Sequence, residues 1–175
     1  MSRKRFVSLA AACGAALLVA NAAPHGFDRV LDALAGAADP GGRGLAAIVL
    51  EEEGAHPIDG TADLSTLWMV TRGAAKSSVY RKRALGPGYR SVRLAGGQAI
   101  RLEQVFLAGQ RAQVAVAAQE ITEFSLSVSD DDQQTPCAAT HRHAKCDWTP
   151  YYTTRFKIDL INSGTRPNVF YLLLQ

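Results

Sequence analysis

The chain has 175 residues, 47% of them hydrophobic and 20% charged, which suits one ordinary folded domain and excludes global disorder. Fifteen Gly and seven Pro are ordinary numbers and exclude collagen-like or linker character. The formal net charge of +3 reads as basic only because of the extreme N-terminus.

Arg3, Lys4 and Arg5 precede an uncharged apolar run from Phe6 to Ala20, followed by Ala20-Asn21-Ala22. A basic head, an apolar stretch and a small-x-small site predict a secretory signal peptide over residues 1–22, cut after Ala22 or Ala23. Two rival readings are an uncleaved anchor, for which the run is short, and a lipoprotein signal at Cys13, for which Leu9 stands one position too far away. Loss of the signal takes three of the 19 basic residues and leaves 16 against 16 acidic ones. The mature charge is then zero, so neither nucleic acid nor an anionic membrane surface is expected as a partner. No apolar run of spanning length remains. The expected location is periplasmic or secreted.

Residues 23–83 read as a short helical region, rich in Ala and Leu. Phe27, Val30, Leu31 and Leu34 follow the i, i+3, i+4, i+7 spacing of a helix face. Asp39-Pro40-Gly41-Gly42 is read as its stop. Leu45, Ile48, Val49 and Glu51-Glu52-Glu53 suggest a second short helix, although Ala46 to Leu50 also fits a buried strand. His56 to Gly60 reads as a turn. Residues 64–71 are too short and mixed to assign, with Trp68 and Met69 expected in the core. Lys76, Arg81, Lys82 and Arg83 beside Tyr80 read either as a solvated linker or as a patch for acidic envelope polymers.

Residues 84–175 alternate. Tyr89 to Leu94, Ala99 to Leu107, Arg111 to Ala118, Phe124 to Ser129, Thr153 to Ile161 and Val169 to Leu174 each predict a strand. Ile100 and Leu102 alternate with Arg101 and Glu103, Val114 and Val116 with Gln113 and Ala115, Phe156, Ile158 and Leu160 with Arg155, Lys157 and Asp159. Period two with one polar face predicts antiparallel sheets, each with one face on a core. The expected fold is mainly β: an antiparallel, jelly-roll-like β-sandwich preceded by the helical region.

The order of motifs in this half carries a family resemblance. Leu94-Ala95-Gly96-Gly97-Gln98 feeds one strand and Leu107-Ala108-Gly109-Gln110 the next. Phe124 to Ser129 leads into Asp130-Asp131-Asp132, and Ile158 to Asn162 and Gly164 are followed by Asn168 and Tyr171. Residues 89–175 thereby resemble the bacterial pre-peptidase C-terminal type of β-sandwich. One departure is that the acids before the Leu126/Val128 strand are Glu120 and Glu123, where that family commonly has Asp. The family is usually appended to a secreted peptidase or other catalytic domain, and only about 65 residues precede the sandwich here. The resemblance implies an extracytoplasmic accessory or interaction module standing largely alone.

Three clusters bear on chemistry. Once Cys13 leaves with the signal, Cys137 and Cys146 remain. An even pair in an exported chain reads as a disulfide. Cys137-x3-His141-x-His143-x2-Cys146 also has the residue types of a tetrahedral zinc site, and free thiols are a third possibility. Asp130-Asp131-Asp132 reads as a solvated hairpin end. Asp130 and Asp132, with His141 and His143, form an alternative metal reading, without the ligand spacing or Gly of a calcium loop. Trp148, Tyr151 and Tyr152 form either an exposed recognition patch or a loop covering the end of the sandwich. No nucleophile elbow, His-Glu-x-x-His run or phosphate-cradling loop is present, and no cofactor is expected. The function expected is non-catalytic binding or accessory interaction in the envelope or outside the cell, with an envelope protein or polysaccharide as partner. The alternatives are metal binding through the Cys/His loop and a small hydrolase or hydrolase inhibitor.

Overall fold

In a computed structural model, residues 26–71, 86–130, 134–135, 137–139 and 142–175 are described. Residues 1–22, read above as a signal, and the basic run 76–83 lie outside them.

Helix α1 (Gly26–Ala35) buries Phe27, Val30, Leu31 and Leu34 on one stripe, as the spacing predicts. Helix α2 (Pro40–Glu52) begins where a stop was read. Asp39 is its N-cap, its carboxylate accepting from Gly42 N at 3.0 Å, and Pro40 opens the first turn. Pro lacks an N–H, but a first-turn N–H has no helical partner anyway, so Asp-Pro can start a helix as readily as follow one. Gly42 is required by close approach, since a Cβ there would lie 2.1 Å from the Gly36 carbonyl oxygen. Within α2 the buried residues are Gly44, Ala46, Ala47 and Leu50, while Leu45 and Ile48 are 61% and 42% exposed. Strand β1 (His56–Pro57) and helix α3 (Leu64–Thr71) follow. Asp63 holds the start of α3, accepting from Ser65 N (3.1 Å) and Thr66 N (3.3 Å). Leu64 and Trp68 turn inward.

The strands are β2 (Gly88–Leu94), β3 (Ala99–Phe106), β4 (Ala112–Ala118) and β5 (Phe124–Ser129), then β6 (Gln134–Thr135), β7 (Cys137–Ala139) and β8 (His143–Trp148), and finally β9 (Thr154–Asn162) and β10 (Asn168–Leu174). All six predicted strands are present within a residue or two. The stretch read as a cysteine loop contributes β7 and β8. One sheet has the order β1-β2-β10-β4-β8-β7 and the other β3-β9-β5-β6. Among the described residues every pairing is antiparallel except β1 with β2.

Between the sheets lies one core, including Val114, Val116, Val128, Ile158, Leu160 and Phe170. A second core forms on the other face of the six-stranded sheet, where Tyr89, Ala115, Ala117, Tyr171 and Leu173 meet Phe27, Leu31, Leu34, Leu50 and Trp68. The protein is therefore a three-layer stack of helices, large sheet and small sheet. This corrects the polar face expected for β4. Ala115 and Ala117 are as buried as Val114 and Val116 because the helices cover that side, and Gln113, also buried, bonds Asp147. The small sheet does keep a solvated outer face, with ion pairs Arg101–Asp159 (2.7 Å) and Arg155–Glu103 (3.1 Å).

Candidate functional site

One end of the sandwich gathers most of the predicted chemistry. The end of β3 faces the start of β9 (Phe106 with Thr154), and the start of β4 faces the end of β8 (Ala112 with Trp148). The two connections leaving them are tied together. Gly109 N donates to Pro150 O at 2.9 Å, and Ala108 N to Thr153 Oγ1 at 3.0 Å. Leu107 to Gln110 close a tight turn, Gln110 N donating to Leu107 O at 3.3 Å. Gly109 supplies the φ of +70° that this turn needs at its third position.

The three predicted aromatics divide. Period two along β8 sends Ala144, Cys146 and Trp148 to the inter-sheet side. Trp148 packs 4.9 Å from Phe106 and 5.1 Å from Phe156, closing the end of the core, with its Nε1 buried and without a hydrogen-bond partner among the described residues. It caps the end of the core and is only partly exposed. Tyr151 is 90% exposed and Tyr152 49%, on the pinned connection. The tyrosines stand outward beside the partly buried tryptophan.

Cys137 and Cys146 form a disulfide between directly opposed residues of β7 and β8, with Cα atoms 4.1 Å apart. Such a separation belongs to the non-hydrogen-bonded cross-strand position, where side chains approach closest. The bond ties the short edge strand to the sheet. Cys146 points into the inter-sheet core. By the same alternation His143 leaves β8 on the helix-facing side, as does Lys145, which touches α1. His143 and Cys146 therefore diverge across the sheet and do not meet at one ion. His141 and Asp132 lie outside the described residues, and Asp130 is half-buried just beyond β5. Among the described residues no group of three His, Cys, Asp or Glu side chains converges as a metal site.

A charged relay on the helix-facing side of β8 orders this end. Arg111 holds Asp147 through Nε (3.0 Å) and Nη2 (2.5 Å), and Gln113 Nε2 adds a bond of 2.9 Å. The Arg111 bonds, then that from Gln113, keep the Asp147 carboxyl below its usual range despite partial burial. Lys145 Nζ bonds Asp28 of α1 at 2.6 Å and lies 5.3 Å from the Phe27 ring centre.

Beside the pinned loops, between the edge of β1 and β2 and the edge of β3, opens a cleft of about 350 Å³. Its walls include His56, Ile58, Gln104, Phe106, Gln110 and Arg111. These positions are dispersed through the chain and form no motif, so sequence reasoning did not single them out. The only available signal was that Gln110 belongs to a turn joining two clear strands.

No family model matches the chain, and no curated protein matches it. Among solved structures it is similar to the pre-peptidase C-terminal domain of collagenase from Bacillus anthracis, at 9% identity and a TM-score of 0.45, covering 50% of this chain and 87% of that one. It is also similar to a de novo designed double-stranded β-helix, at 11% identity and a TM-score of 0.34, covering 50% and 97%. The fold class rests on the two antiparallel sheets themselves.

Proposed function

We propose that this chain is an exported, non-catalytic binding or accessory protein of a bacterial envelope, periplasmic or secreted, which engages an envelope partner through the Tyr151–Tyr152 end of its sandwich. The observation that carries the reading is Tyr151, 90% exposed on a connection held by backbone bonds at Pro150 and Thr153. A large aromatic ring held out on a pinned loop offers contact area at little further ordering cost. Export is supported by the three-part pattern of residues 1–22 and by the Cys137–Cys146 disulfide, since such bonds persist in oxidising compartments.

The test is expression of the full chain in a bacterium, followed by fractionation and intact mass. The expected product is periplasmic or in the medium, shortened by residues 1–22 or 1–23, and two hydrogens lighter than its reduced form. A full-length cytoplasmic product with labelled thiols overturns export. Retention on isolated envelope material should fall about tenfold in Tyr151→Ser/Tyr152→Ser, the loss typical of removing an interface hot spot. Equal retention of both proteins overturns the role of this end.

A further inference from the structure

We propose that the cleft beside the tyrosine loop binds the end of an uncharged, hydroxyl-rich chain, a neutral oligosaccharide. This deepens the binding function proposed above and rests on it. The size comes first: about 350 Å³ lies at the small end of ligand pockets, enough for one or two sugar rings and too little for a folded partner.

The lining selects the chemistry. Its apolar part includes Ile58, Phe106, Leu107 and Leu174, and its polar part, besides Arg111, is the carboxamides of Gln104, Gln110 and Gln175 and the His56 imidazole. A carboxamide offers two donors and an acceptor, which matches hydroxyl groups that also donate and accept. Gln104 spends one donor on Val105 O at 3.2 Å, and the side chains of Gln110 and Gln175 hold no hydrogen bond among the described residues. Charge argues against the other ligand classes. Among the described residues Arg111 is the one Lys or Arg in the lining, and its guanidinium is already held by Asp147 through two bonds. Among the described residues no Asp or Glu side chain lines the cleft, and besides Arg111 its ring-nitrogen group is the His56 imidazole. Among the described residues an anion would have to break the Arg111–Asp147 pair, and a cation would find no Asp or Glu side chain. A wholly apolar ligand would cover the carboxamides without satisfying them. A pyranose has apolar C–H faces and a ring of hydroxyls, and meets both halves of the lining. Leu107 and Gln110 belong to the turn bonded to the tyrosine loop, so a chain leaving the cleft has Tyr151 and Tyr152 close by for stacking.

The experiment is titration of the mature, disulfide-bonded protein with chitotetraose, cellotetraose and maltotetraose, followed by calorimetry and by the chemical shifts of the glutamine side-chain amides. At least one tetrasaccharide should bind with Kd below about 1 mM. Binding should weaken about tenfold in Gln104→Ala/Gln110→Ala, and should change less than about twofold between low and high salt. These two side chains are exposed, so the double variant is expected to keep the wild-type circular dichroism and disulfide. No binding by any of the three overturns the proposal, and so does equal binding by the double variant. Salt-sensitive binding of dextran sulfate in the cleft, with no neutral sugar bound, overturns it in favour of an anion. Failure here with tyrosine-dependent envelope retention intact removes the ligand class alone. Loss of both removes the binding function.

Discussion

Tyr89 is fully buried, and its hydroxyl accepts from Leu64 N (2.9 Å) while donating to Asp63 Oδ1 (3.3 Å). One side chain on the large sheet thereby holds the first turn of α3. Tyr89→Phe keeps the ring and leaves a buried amide without a partner. The expected cost is about 1–2 kcal/mol in urea unfolding, and a change under about 0.3 kcal/mol would show the bond to be idle. Burial, aided by the nearby Asp63 charge, pushes the phenol from its ordinary 10.0 up to about 12. The folded state thus favours the neutral phenol. Its contribution is whole below about pH 10 and is lost as pH rises toward 12. Tyrosinate absorbance should therefore show a late-ionising fraction that includes Tyr89 and Tyr171, which burial also raises. Asp63 has the opposite sign. Burial alone would raise its carboxyl, but the hydrogen bonds from Thr66 and Ser65 outweigh it and hold it below 3.8. Its contribution is present above that value and lost as pH falls through the lower folded one.

At the scale of elements, α2 and β8 show how a local pattern can be read in the wrong direction. Asp39-Pro40 satisfies the rule for ending one helix and the rule for starting the next. The four residues between α1 and α2 leave room for both events. If Asp39 caps α2, Asp39→Ala should cost about 1 kcal/mol, and Asp39→Asn should recover most of it. Thermal unfolding of the three proteins checks this, and equal midpoints would return Asp39 to a plain turn residue. Strand β8 was hidden for another reason. Ala144, Cys146 and Trp148 do alternate with His143, Lys145 and Asp147, but its outward residues are charged because α1 and Arg111 supply their partners. The alternation is visible once the cysteines are set aside as a motif.

The whole molecule depends on sharing one sheet between two cores. Tyr89, Ala115, Ala117, Tyr171 and Leu173 face the helices, whereas Val114, Val116, Phe170 and Leu172 face the small sheet. The composition changes near residue 84, yet the helix–sheet core crosses that point. Residues 84–175 expressed alone would present the helix-facing side of β2, β10 and β4 to water. The expected outcome is aggregation, or a soluble fragment that binds a hydrophobic dye where the chain with its helices does not. A monodisperse, dye-silent fragment would show that the helices add little to the sandwich.

Much of this was legible in the sequence. The amphipathic stripe of α1 and the six main strands were determined locally, because helix and strand periods are properties of short segments, whereas the Cys137–Cys146 pairing was one of three readings the sequence offered. Tertiary structure alone decided the buried second face of β4, the inward turn of Trp148, the divergence of His143 from Cys146, and the cleft. Each of these depends on which segment lies across a sheet from another. Periodicity states that a residue has a side, and only packing decides what occupies that side.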